Sequence, residues 1–106
     1  MVIFMDLEYF KEHIHDELCG AREYICNAIE IKPMNASWSK MLVEMSSAEL
    51  MHAQNLYKMF QEYYKLLTDS YKETPNYIKE LADDISEDYT TNYSQVKYIH
   101  ELYGKI

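Results

Sequence analysis

Between Trp38 and Leu66 a set of residues recurs at alternating steps of four and three, and no other feature constrains this chain as strongly. The positions are Trp38, Leu42, Met45, Glu49, His52, Leu56, Met59, Tyr63 and Leu66. That spacing lines one face of a helix. All but two of the residues are apolar or aromatic. Glu49 and His52, three apart in Ala48-Glu49-Leu50-Met51-His52-Ala53, break the pattern. On a core-facing stripe, a carboxylate and an imidazole are costly to bury unless something pairs with them. The run predicts a long helix carrying a polar pair in its buried face, and a partner for that pair elsewhere.

An earlier stretch offers one. From Asp6, a residue suited to cap a helix N-terminus, to Ile31 the stripe reads Phe10, Ile14, Glu17, Ala21, Tyr24, Ala28 and Ile31. Its single charged member is Glu17. Gly20 and Ala21 are small enough to let a neighbouring helix approach closely. Lys32-Pro33-Met34 ends the first helix, because the residue before a proline is pushed out of the helical region. Asn35 caps a second helix running to about Thr68. Two long helices joined by a short connection form an antiparallel hairpin. Glu17 and Glu49 are equidistant in sequence from Pro33, so the fold-back brings Glu17, Glu49 and His52 to one height.

A third helix is predicted after the polar segment Asp69–Glu73, with Thr74 as cap, Pro75 at its first position and Gly104 as its stop. Its apolar residues are Ile78, Leu81, Ile85, Tyr89, Val96, Ile99 and Tyr103, with a polar middle. The expected fold is all-α: one domain over residues 1–106, with helices at about 6–31, 36–68 and 76–103. Composition agrees, since 106 residues hold only two Gly and two Pro. Eleven tyrosines suit half-buried surfaces where a ring packs and its hydroxyl stays wet. So short a chain buries a modest core, which favours an oligomer.

A net charge of −8 with no basic stripe argues against nucleic acid or an anionic membrane as partner. No segment has the apolar length of a transmembrane helix, and Met1-Val2-Ile3-Phe4-Met5-Asp6 lacks the basic residues and length of a secretory signal. Cys19 and Cys26 are seven apart on one helix, roughly 10 Å along its axis, too far for a mutual disulfide. They read as small reduced core or interface residues, and so as belonging to a cytoplasmic protein. Neither shows an activating context in sequence, and no glycine-rich phosphate loop is present, so nucleophilic catalysis is not expected. The methionines of the second helix (Met41, Met45, Met51, Met59) read as adaptable core or interface.

A glutamate on one helix with Glu-x-x-His on the next is half of a dinuclear carboxylate site. Glu and His at i and i+3 point to one side of a helix, so both reach an ion held between helices. Mixed oxygen and nitrogen donors suit iron or manganese, with zinc as a further option. A second such pair, Glu12 and His15, lies off the core stripe and reads as solvated, as does His13.

On Glu17-Leu-Cys-Gly-Ala21-Arg-Glu-Tyr24-Ile-Cys-Asn-Ala28 and Glu49-Leu-Met-His52-Ala53 the sequence resembles the ferritin-like di-iron carboxylate proteins, nearest their rubrerythrin and encapsulated-ferritin branches. The likeness covers about two-thirds of the chain. It implies Glu17 as the first-helix ligand, Glu49 as a bridging ligand and His52 as the histidine ligand. Members with a complete site per chain carry a second Glu-x-x-His. Here Lys97 stands where the glutamate before His100 belongs, and Glu87-Asp88-Tyr89 offers only a remnant of a further carboxylate. The resemblance then implies a homodimer, or a higher even-numbered assembly, completing a four-helix-bundle core around two metal ions per dimer. Oxidation of Fe(II), or reaction with oxygen or peroxide, is the chemistry implied. The alternative expectation is a non-enzymatic helical interaction protein in which Glu17, Glu49 and His52 form a buried structural polar layer.

Overall fold

The computed structural model describes residues 6–106; the opening segment weighed above as a secretory signal, Met1–Met5, lies outside the described residues. The chain forms three helices and, among the described residues, no strand: α1 (Leu7–Ile31), α2 (Ala36–Asp69) and α3 (Asn76–Tyr103). None is long and apolar enough to cross a membrane.

The first two helices start where short polar side chains satisfy orphan N–H groups. The Asp6 carboxylate accepts from the Tyr9 N–H at 2.9 Å, and the Asn35 side-chain oxygen accepts from the Trp38 N–H at 3.0 Å. The third starts differently. Pro75, not Thr74, occupies the capping position in an extended conformation, and no side chain caps the helix. Proline brings a preset φ and no N–H to satisfy, so it opens the helix without one.

α1 lies between the others. It runs antiparallel to α2 through the tight Lys32–Asn35 turn, and parallel to α3. The parallel register repeats along its length: His15 meets Asp88, Arg22 meets Gln95, and the Lys32 ammonium donates to the Ile106 carbonyl at 2.6 Å. α2 and α3 meet chiefly through long side chains, including a stacked Tyr57–Tyr89 pair with centroids 4.0 Å apart.

The buried stripe of α1 is Leu7, Phe10, Ile14, Leu18, Ala21, Ile25 and Ala28. Leu18 and Ile25 therefore replace the expected Glu17 and Tyr24, which sit half-buried at its edge. On α2 the displacement is larger. Ser39, Ser46, Leu50, Ala53 and Phe60 are buried, each close beside a member of the expected stripe. The stripe starting at Trp38 is split: its Leu42, Leu56 and Tyr63 are half-buried against the core, and its other apolar members are exposed. Its heptad members Trp38, Met45, Met59 and Leu66 are 61, 44, 41 and 70 % exposed, and the His52 side chain is 55 % exposed. Adjacent residues are turned by about 100° on a helix, so α2 carries two apolar faces, and this chain covers one of them.

Small residues set the α1–α2 spacing. Ala21 and Ala28 are fully buried, and the Ser46 and Ser39 hydroxyls donate to their carbonyls, each at 2.6 Å. Each serine oxygen also bonds α3: Ser39 with the Tyr103 hydroxyl at 2.9 Å, and Ser46 with His100 Nε2 at 2.8 Å. With its own proton committed to α1, each serine accepts from α3. Two three-helix junctions, one heptad apart, thereby fix the register.

Candidate metal centre

Glu17, Glu49 and His52 come together at one edge of the α1–α2 seam, as their spacing about the turn predicted. A ligand atom from each lies within 4.8 Å of the others. His52 Nδ1 is 3.5 Å from Glu17 Oε2 and 3.7 Å from Glu49 Oε1. The two carboxylates are about three-quarters buried, while the imidazole opens onto the uncovered face of α2. The cluster is therefore a rim site and not the interior polar pair that the stripe suggested.

Its electrostatics are unresolved by the chain itself. Glu17 Oε2 is buried and receives no hydrogen bond among the described residues. The nearby imidazole nitrogen lies too far off for a well-formed bond. The Glu49 carboxyl is pushed up to about 6 from an ordinary 4.5. A hydrogen bond shared with Glu17 is the largest cause, followed by desolvation and repulsion from the Glu17 charge, with His52 pulling the other way. Two carboxylates held side by side prefer to share a proton or a cation.

Gly20 makes room for this arrangement. A β-carbon placed there would stand 3.1 Å from Glu49 Oε2, so the carboxylate lies over the bare backbone of α1. A glycine in mid-helix costs about 1 kcal/mol relative to alanine. The orphaned oxygen, the glycine cradle and the O, O, N donor set fit a cation of the iron, manganese or zinc class.

The other polar residues fall elsewhere. His100 binds Ser46 and is not among the converging donors. Asp88 is not turned toward the cluster as a further carboxylate. It meets His15 on the side of α1 away from Glu17. There the structure places an exposed cysteine, neither in the core nor without neighbours, beside that histidine. Cys19 Sγ is 3.3 Å from His15 Nε2, and His15 Nδ1 is 3.3 Å from Asp88 Oδ2. The i, i+4 spacing of His15 and Cys19 was a visible signal; Asp88, 73 residues away, was not.

No family model, curated protein or solved structure matches this chain.

Proposed function

We propose that this chain is a ferritin-like metal-binding protein whose di-iron or di-manganese carboxylate site is shared across a homodimer. The observation that carries the reading is Glu17 Oε2, buried without a donor beside Glu49 and His52. A structural polar layer would satisfy its own atoms, since an unpaired buried acceptor costs about 1–3 kcal/mol. Here the layer is left short of positive charge.

Glu17 and Glu49 would hold the ion through carboxylate oxygens, and His52 through a ring nitrogen. Below about pH 6 Glu49 would give up a proton as the cation binds, and at higher pH the cation would offset the repulsion between the two carboxylates. Iron held there would supply one-electron redox chemistry toward oxygen or peroxide. The chain's part is to keep three donors convergent on two rigid helices.

Three donors leave an ion of this class short of ligands, and the uncovered face of α2 supports a second copy as their source. Its heptad stripe runs Trp38, Met45, His52, Met59 and Leu66, with His52 at the midpoint. A twofold axis beside His52 would oppose Met45 to Met59 of the partner subunit and bring the two clusters together.

The test is iron and manganese content after anaerobic Fe(II) loading and desalting, read beside native mass and melting temperature. About one metal per chain in an even-numbered assembly is expected, with a raised melting temperature that Glu49→Ala abolishes. Retention of no metal would transfer the cluster to the structural-layer reading, in a helical interaction protein whose exposed α2 face receives a different partner.

A further inference from the structure

The Cys19–His15–Asp88 array lies outside the metal cluster. Along α1, His15 and Cys19 are about 40° apart, and each is about 160° from Glu17. Side chains lean toward a helix N-terminus, so Cys19 reaches back over the turn that carries His15. Asp88 on α3 holds the other side of the ring. Asn92, one turn further on α3, donates to Asp88 Oδ1 at 2.8 Å and to the Asp88 carbonyl at 2.9 Å, fixing the carboxylate.

Hydrogen-bond chemistry assigns direction to this chain of contacts. A carboxylate only accepts, so His15 Nδ1 carries the proton donated to Asp88. Nε2 of the neutral ring is then an acceptor, and the Cys19 S–H donates to it. Sulfur and carboxylate sit on opposite ring nitrogens, which excludes chelation of one ion by all three and leaves a nucleophile, a base and an orienting group in series. Cys19 is exposed, so an incoming reagent reaches the sulfur.

We propose that Cys19 is a base-activated thiol that reacts with hydroperoxides. The adjoining α1–α3 groove selects the class. It has a volume of about 890 Å³ and is lined by His15, Glu12, Asp16, Glu87 and Asp88, with Lys11 the one lysine on its wall; Cys19 stands one helical turn beyond His15, outside the groove. That charge, on the His15 side of the thiol, disfavours anionic disulfides approaching along the groove and leaves small neutral oxidants unopposed. In the reaction sulfur attacks the distal oxygen of ROOH. The S–O bond forms as the O–O bond breaks, and the thiol proton passes to His15 Nε2 and on to the departing RO⁻. The products are Cys19 sulfenic acid and ROH; sulfur loses two electrons and the peroxide gains them.

Cys26 is the internal reference. It is also an exposed free thiol, and no described side chain hydrogen-bonds to it. The full-length protein would be treated with substoichiometric hydrogen peroxide in the presence of a chelator, which removes any contribution from ions at Glu17, Glu49 and His52. Sulfenic acid would be trapped with a cyclic 1,3-dione and quantified at each cysteine by peptide mass spectrometry. The expected result is at least tenfold more adduct at Cys19 than at Cys26. His15→Gln and Asp88→Ala should bring the ratio close to one while leaving helicity and Cys26 labelling unchanged. Equal labelling of the two thiols in the unaltered protein would overturn the proposal, as would a ratio that survives His15→Gln.

Discussion

Glu49 shows how one side chain sets the pH response of the metal-free protein. Its carboxyl titrates near 6 in the folded chain against 4.5 ordinarily, so the folded state holds the proton more tightly than the unfolded one. The resulting stabilisation is complete below about 4.5 and is lost as pH rises through about 6. Metal-free protein is expected to melt lower at pH 7 than at pH 5. The Glu49 share is on the order of 1 kcal/mol after allowing for screening at a side chain 27 % exposed. Glu49→Gln should remove that share and raise the pH 7 melting temperature; a difference profile with no slope between pH 5 and 7 would assign the effect to another group. Glu17, Glu49 and His52 were legible in sequence because two helices joined by a short turn place residues by counting. The Cys19 array was half legible. His15 and Cys19 share a helix face, but Asp88 joins them only through the register of α1 against α3, which no local spacing encodes.

At the scale of the element, α2 carries the main lesson. Its apolar periodicity is real, yet the stripe visible in sequence straddles the edge of the buried face: Leu42, Leu56 and Tyr63 pack against the core, and the heptad from Trp38 is left open. The buried face is built from Ser39, Ser46, Leu50, Ala53 and Phe60, and two serines on it carry no hydrophobic signal. They are buried because α1 offers alanine carbonyls at the same seven-residue spacing. Burial, and after it the Lys97 charge, lower the His100 pKa, so its ring is a neutral donor to Ser46. Ser46→Ala would strip the His100 N–H of its partner and remove the interhelical bond to the Ala21 carbonyl, which keeps only its helical one. A loss of about 2 kcal/mol is expected, seen as a drop of roughly 10 °C in melting temperature. A change below about 2 °C would mean that the junction does not fix the register. The caps at Asp6 and Asn35 were readable from local chemistry; the uncapped start of α3 was not, because Thr74-Pro75 reads as a cap followed by a first-turn proline, whereas Pro75 itself takes the capping position.

The whole molecule is elongated and thin: its extents are 58 × 25 × 15 Å. Such a shape leaves helix faces uncovered, and the α2 stripe is the most apolar of them. If a twofold axis beside His52 pairs that face with itself, charge placement can test both the contact and its direction. Met45→Glu should shift the native mass to that of a monomer with helicity kept. Adding Met59→Lys to the same chain should restore the dimer, since each glutamate then meets a lysine of the partner. A double variant that stays monomeric would rule out the antiparallel pairing. The nearness in sequence of α1 and α2, and the remoteness of α3, also bear on the order of folding. Contacts of α1 with α2 close short loops around one turn, whereas the polar contacts of α1 with α3 span 73 or 74 residues. Local closure is faster, so the hairpin is expected to form first and α3 to dock onto it. Glu17, Gly20, Glu49 and His52 all belong to that early hairpin. On that order the Glu17–Glu49–His52 edge would be assembled while the last third of the chain is still free, and an ion captured then would stabilise the hairpin on which α3 must dock.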